Sequence, residues 1–130
     1  MIPIIYYAHA LQLYNTEREK HELHLIQAEF PKACIFNPNR SFIQHAKEPM
    51  KRCIDIVKDP SLSILVFSDY KGEITQGVYF EIQIAKKHHK ELFFLTDEKI
   101  FPFTSVSKIR RITRRKKSLW KVTNYASEEC

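Results

Sequence analysis

Short apolar runs alternate along this chain with stretches in which apolar residues recur once per helical turn. The run IPIIYYA (residues 2–8) is continuous, β-branched and aromatic, as expected of a strand covered on both faces. Asn15 or Thr16 then caps a helix, Thr16 and Glu19 having the spacing of a capping box. Leu23, Ile26 and Phe30 form its apolar stripe, and Pro31 follows its end. ACIF (33–36) predicts a second strand, stopped by Asn37, Pro38 and Asn39. A second helix is predicted over 44–58, with Pro49 near its beginning and Asp59-Pro60 closing it. SILVFS (63–68) reads as the third strand, 76–89 as the third helix and ELFFLT (91–96) as the fourth strand. An irregular segment with Pro102 follows, then a basic stretch, then a last short strand at 120–123.

This order predicts an α/β, doubly wound, flavodoxin- or Rossmann-like three-layer fold, with a four- to five-stranded, mostly parallel sheet and right-handed crossovers. A sheet of that kind gathers the carboxyl ends of its strands on one rim, where ligands bind. Tyr6, Tyr7 and His9 fall on that rim after the first strand, Asn37, Asn39 and Arg40 after the second, and Ser68, Asp69 and Tyr70 after the third.

At 130 residues and 44% hydrophobic content, the chain is expected to form one domain, 1–130, with a real core. No apolar run reaches the ~20 residues of a membrane span, so no membrane partner is expected. The start, MIPIIYYAHA, lacks a basic leader and reads as a buried strand. Cys34, Cys53 and Cys130 make an odd set without metal or redox spacing, which suggests reduced thiols in the cytoplasm; Cys34 reads as core. The net charge of +6 is concentrated in KIRRITRRKKSLWK, which runs from Lys108 to Lys121. Such a block suits nucleic acid or another polyanion. Ile109 and Ile112 lie one turn apart, so the block equally reads as an amphipathic final helix with a solvated basic face, the preferred reading here. Trp120 and Tyr125 are expected to anchor the terminus to the core.

Both glycines, Gly72 and Gly77, fall in the loop after the third strand, and Glu81 follows in the first turns of the next helix. Glycine permits positive φ and close backbone approach, and a helix start offers free N–H groups to an anion. Glu81 lies along the stripe of Val78, Ile82 and Ala85, and no cation stands one turn away from it. A carboxylate on a buried stripe is hydrogen-bonded, charge-paired or raised in pKa. Two readings stay open: a boundary Glu that reaches water, or a functional carboxyl group.

IYYAHA, ILVFSDY and above all QGVYFEIQIA resemble the nucleoside 2-deoxyribosyltransferase superfamily, which includes 2′-deoxynucleoside 5′-phosphate N-hydrolases. Gly77, Glu81 and Ala85 match its Gly-x-x-x-Glu helix opening with a small residue following, and the resemblance covers about the first three quarters of the chain. It implies cleavage or transfer of an N-glycosidic bond of a nucleoside or nucleotide through a covalent glycosyl-Glu intermediate. Glu81 would be the nucleophile, Asp55 the second carboxylate and Tyr6 the residue orienting Glu81, with Tyr7 the alternative register. No metal or cofactor is implied, and a homo-oligomer is, because family members often complete each other's pockets. The chain departs from the pattern at Thr75 and Gln76, where an acidic residue often stands, and in AHALQLYNT, which lacks the glycines of the nucleotide hydrolases.

Ser68, Thr75, the third helix's N-terminus and Arg40 are candidates to hold a 5′-phosphate, and His9 to contact a base; Asn37, Asp69 and Gly77 complete the substrate-binding set. Each also has an ordinary explanation. Thr75 suits a helix cap. Asp55 stands one turn from Lys51, Arg52 and Lys58 and suits a surface ion-pair cluster, and Tyr6 suits a sheet core. His21 and His24 lack a third metal ligand. Two rival functions remain: a non-catalytic nucleotide- or nucleic-acid-binding module on the same fold, and an NAD glycohydrolase.

Overall fold

The computed structural model describes residues 2–104, 107–114 and 117–124. Its elements run β1 (Ile4–Ala8), α1 (Glu17–Glu29), β2 (Cys34–Phe36), α2 (Ser41–Gln44), α3 (Pro49–Lys58), β3 (Leu62–Ser68), α4 (Gln76–Lys87), β4 (Glu91–Thr96), β5 (Lys99–Pro102), β6 (Ser107–Arg114) and β7 (Lys117–Asn124). The main sheet has the order β2-β1-β3-β4-β5, parallel except for the β4/β5 hairpin. The first crossover runs to one side of β1 and the next two to the other. With right-handed connections that places α1 on one face and α3 and α4 on the opposite one. Two apolar clusters show this division: Ile5, Tyr7, Ile26, Ile64 and Val66 on the α1 side, and Tyr6, Val57, Leu65, Phe67, Val78 and Ile82 on the α3/α4 side. The three-layer α/β fold expected from the alternation is the fold observed. Among the described residues, no helix is long and apolar enough to cross a membrane.

Local chemistry sets most boundaries. Thr16 Oγ1 accepts a hydrogen bond from the Glu19 N–H, capping α1. The Glu19 carboxylate reaches back past Thr16 to the Asn15 N–H, at 3.1 Å. Pro49 occupies the first turn of α3, where its missing N–H costs nothing. The helix expected over 44–58 is therefore two helices, α2 and α3, separated before Glu48-Pro49. Gly72 closes a two-residue hairpin: Lys71 and Gly72 have φ of 53° and 79°, and Tyr70 and Glu73 exchange backbone hydrogen bonds across them. That mirror-image turn requires positive φ at both central positions.

Three other expectations are corrected. Cys34 is exposed, because β2 is an edge strand rather than a core one. The segment around Pro102 is β5; the edge of the sheet tolerates a proline there. The basic block is an antiparallel hairpin, not a helix. Its β-branched residues favour strand, and pairing Ile109 with Val122 and Arg111 with Trp120 turns one face inward. Ile109, Trp120 and Val122 pack against the α3/α4 cluster. Tyr125, expected to help anchor this end, lies outside the described residues.

Trp120 locks the hairpin down. Its indole stacks on Tyr79 of α4 at 4.3 Å between centroids and 10° between planes, and its backbone exchanges hydrogen bonds with Ile74. Trp120→Ala is expected to lower unfolding free energy by about 2 kcal/mol through lost stacking and burial. Lys121→Ala, on an exposed neighbour, should change it by less than about 0.5 kcal/mol. Urea denaturation of the two variants checks this.

Candidate functional site

A cavity of about 660 Å³ opens at the carboxyl edge of the sheet, where the chain leaves β1 and β3 in opposite directions. The turn after β1 contributes His9, Gln12 and Tyr14, the segment after β2 Ile43 and Gln44, the start of α3 Met50 and Cys53, and the start of α4 Thr75, Gly77 and Glu81. Its lining is chiefly apolar. Among the described residues that line it, Glu81 is the one acid, and none is Lys or Arg.

Glu81 is buried, and Tyr6 Oη donates to its Oε2. The partner that α4 itself could not supply thus comes from β1, 75 residues away in sequence. Burial pushes the Glu81 carboxyl up to about 7, against the lowering effect of the Tyr6 hydrogen bond. Burial and then the Glu81 charge hold the Tyr6 phenol well above its ordinary range. Tyr14 is raised for the same two reasons in the same order, placing its hydroxyl in the field of Glu81. The Cys53 thiol is raised chiefly by burial and stays protonated.

Tyr7 points the other way. Strand alternation carries its hydroxyl to the α1 face, where it donates to Glu22 at 2.5 Å. Arg18 bridges Glu22 to Asp69, donating to the Asp69 side chain and carbonyl, and Asp69 also receives the Gly72 N–H. His9 stacks on Tyr7 at 3.8 Å, with Nε2 2.7 Å from Glu19 and Nδ1 3.1 Å from the Tyr7 carbonyl. Burial lowers the imidazole below its ordinary range, with the Glu19 bond opposing. Burial raises the Glu19 carboxyl, but bonds from His9, Asn39 and the Asn15 N–H outweigh it and leave it lowered.

The structure therefore brings together only part of the expected set. Tyr6 and Glu81 meet at the cavity, with Thr75, Gly77 and His9 on its walls. Thr75 holds the position before α4 yet makes no side-chain cap. At Gly77 a Cβ would stand 3.0 Å from Met50 Cε, so this glycine permits close approach of α3 and α4. Tyr7, Ser68 and Asp69 belong to the α1 face, where the Ser68 side chain is buried. Arg40 turns to the Ile35 carbonyl and the Phe36 ring, and Asn37 receives the Asn39 N–H in a turn. Asp55 is exposed on α3, two residues from the inward Cys53 and so on the helix's outer side, beside Lys51 and Arg52. It does not join Glu81. His21 bonds Glu98 on the surface.

Tyr14, Gln12, Gln44 and Met50 carried no sequence signal, because a cavity wall assembled from four separate segments has no local pattern. Glu22 had a weak one. It shares a helical stripe with Ile26, but Arg18 one turn away gives it the look of a surface pair.

The raised Glu81 pKa makes stability pH-dependent. Folding lifts this group from 4.5 to about 7, so the folded state binds its proton more tightly. The contribution is complete below about pH 4.5 and is lost as pH rises through about 7. Between pH 5 and pH 8 the wild type should lose roughly 2 to 3 kcal/mol more unfolding free energy than Glu81→Gln, measured by urea denaturation at both pH values.

Comparison with protein-family models, with curated proteins and with solved structures finds no match to this chain.

Proposed function

We propose that this protein cleaves or transfers the N-glycosidic bond of a nucleoside, with Glu81 as nucleophile. The observation that carries the reading is the buried Tyr6–Glu81 pair at the wall of an apolar cavity on the carboxyl edge of the sheet. An apolar cavity of about 660 Å³ suits a flat nucleobase with its sugar. Among the described residues the lining holds no Lys or Arg, and Arg40 and Ser68 face elsewhere, which favours a nucleoside over its 5′-phosphate.

In this reading a Glu81 oxygen attacks the anomeric carbon as the C–N bond breaks. The bonding pair leaves with the base, which takes a proton from water, since Asp55 stands outside the cavity. Water or a second base then displaces the carboxylate, releasing the sugar and restoring Glu81. Tyr6 is a positioning residue. Its hydrogen bond favours the ionised carboxylate against the burial that disfavours it.

Free-base release, followed by chromatography across deoxynucleosides, ribonucleosides, their 5′-monophosphates and NAD, tests the reading. Glu81→Ala should lower release by at least about 10³-fold. Release that survives the substitution would remove Glu81 from the role of nucleophile; absence of release from every substrate, while the cavity still binds nucleosides, would leave a binding module instead.

The nucleophile must be ionised, so kcat/KM of the wild type should rise about tenfold per pH unit below about 7 and level off above it. Tyr6→Phe removes the interaction that lowers the Glu81 pKa and should move this limb to higher pH. A limb that stays in place would show that Tyr6 only packs.

A further inference from the structure

The β6/β7 hairpin carries a feature that the glycosidic reading does not use. Eight of the 21 Lys and Arg residues fall in 107–124, and none of the 15 Asp and Glu residues does. The whole positive balance of the chain therefore resides in this hairpin, and the remainder is slightly acidic. The inward face, with Ile109, Trp120 and Val122, is packed on the core. Alternation puts Lys108, Arg110 and Lys121 on the opposite face, and all three side chains are exposed.

Arg110 and Lys121 are directly opposite in register, and nearer the hairpin's end the register pairs Arg114 with Lys117. Like charges across a strand pair repel, so the Arg110/Lys121 pair does not serve the stability of the hairpin. A solvated face would be equally well served by alternating signs. Lys108 follows Arg110 about 7 Å along the strand, making a short row of positive charge.

We propose that the outer face of the β6/β7 hairpin binds the phosphate backbone of a nucleic-acid duplex. A two-stranded ribbon has the width that a major groove admits, and its cations neutralise phosphates with release of counterions. Trp120 is stacked inward on Tyr79, so the ribbon does not present its indole to unpaired bases or to a lipid interface. Charge, not stacking, makes the contact. Because Trp120 is also bonded to Ile74, next to Thr75 on the cavity wall, the bound duplex lies on the element that buttresses α4. The proposal does not depend on Glu81.

Anisotropy of a fluorescein-labelled 20-base-pair DNA duplex, titrated with the full chain, tests it. Three phosphate contacts predict affinity about 40-fold weaker at 200 mM than at 50 mM salt. Arg110→Glu/Lys121→Glu should weaken binding at least about tenfold at 50 mM and flatten the salt dependence to about one contact. Lys86→Glu/Lys87→Glu, which changes net charge equally at exposed positions of α4, should preserve the salt slope. Circular dichroism establishes that the variants fold; Arg110→Gln/Lys121→Gln replaces the reversal if it does not. Absence of duplex binding at 50 mM salt, equal losses in the two reversal variants, tighter binding to the unpaired strand, or binding only to phosphatidylserine vesicles would each overturn the proposal.

Discussion

In β1, two adjacent tyrosines divide the polar chemistry of the core between the two faces of the sheet. Tyr6 sends its hydroxyl towards α4 and Glu81, Tyr7 towards α1 and Glu22. Each phenol meets a carboxyl group that its own helix leaves facing the sheet, so two polar side chains are satisfied on each side of a central strand. On the α4 side the phenol cannot be lost without cost, since a buried carboxyl group left without a partner costs more than the bond it makes, whereas Glu22 keeps Arg18. The pairs also orient the helices: α1 and α4 are each tied to the same strand by one hydrogen bond to a group within the helix.

The two pairs differ in their surroundings. Glu22 is shared with Arg18, which continues to Asp69 and the turn at Gly72, a closed ionic chain with a structural character. Glu81 has Tyr6 and an apolar cavity, with no Lys or Arg among the described residues that line it. Of two carboxyl groups with the same kind of partner, one is neutralised by charge and the other is held near the balance point of its titration. That contrast sets the candidate chemistry on the α4 side of the sheet.

The end of the chain shows a different use of alternation. A doubly wound sheet ordinarily covers each face with crossover helices, and here the last cover on the α4 side is a hairpin. Ile109, Trp120 and Val122 complete the cluster that α3 and α4 begin, while the same period of two presents Lys108, Arg110 and Lys121 outward. Spacing alone misread this segment. Ile109 and Ile112 fit a helical turn, but the inward pair is Ile109 with Val122, and the partner strand lies beyond the window in which helical spacing is read.

The sequence by itself determined the alternation of strands and helices, the capping of α1 by Thr16, the end of α3 at Asp59-Pro60, and the buried stripe on which Glu81 lies. All are properties of neighbours within a turn or a strand, where φ/ψ preference and side-chain period act. Only the tertiary structure decided what Glu81 meets, that Asp55 faces outward, that Tyr7 serves α1 rather than the cavity, and that Arg40 turns back to its own strand. Those outcomes depend on which elements become neighbours. A strand pairs with partners far along the chain, and one residue of register decides which face a side chain joins.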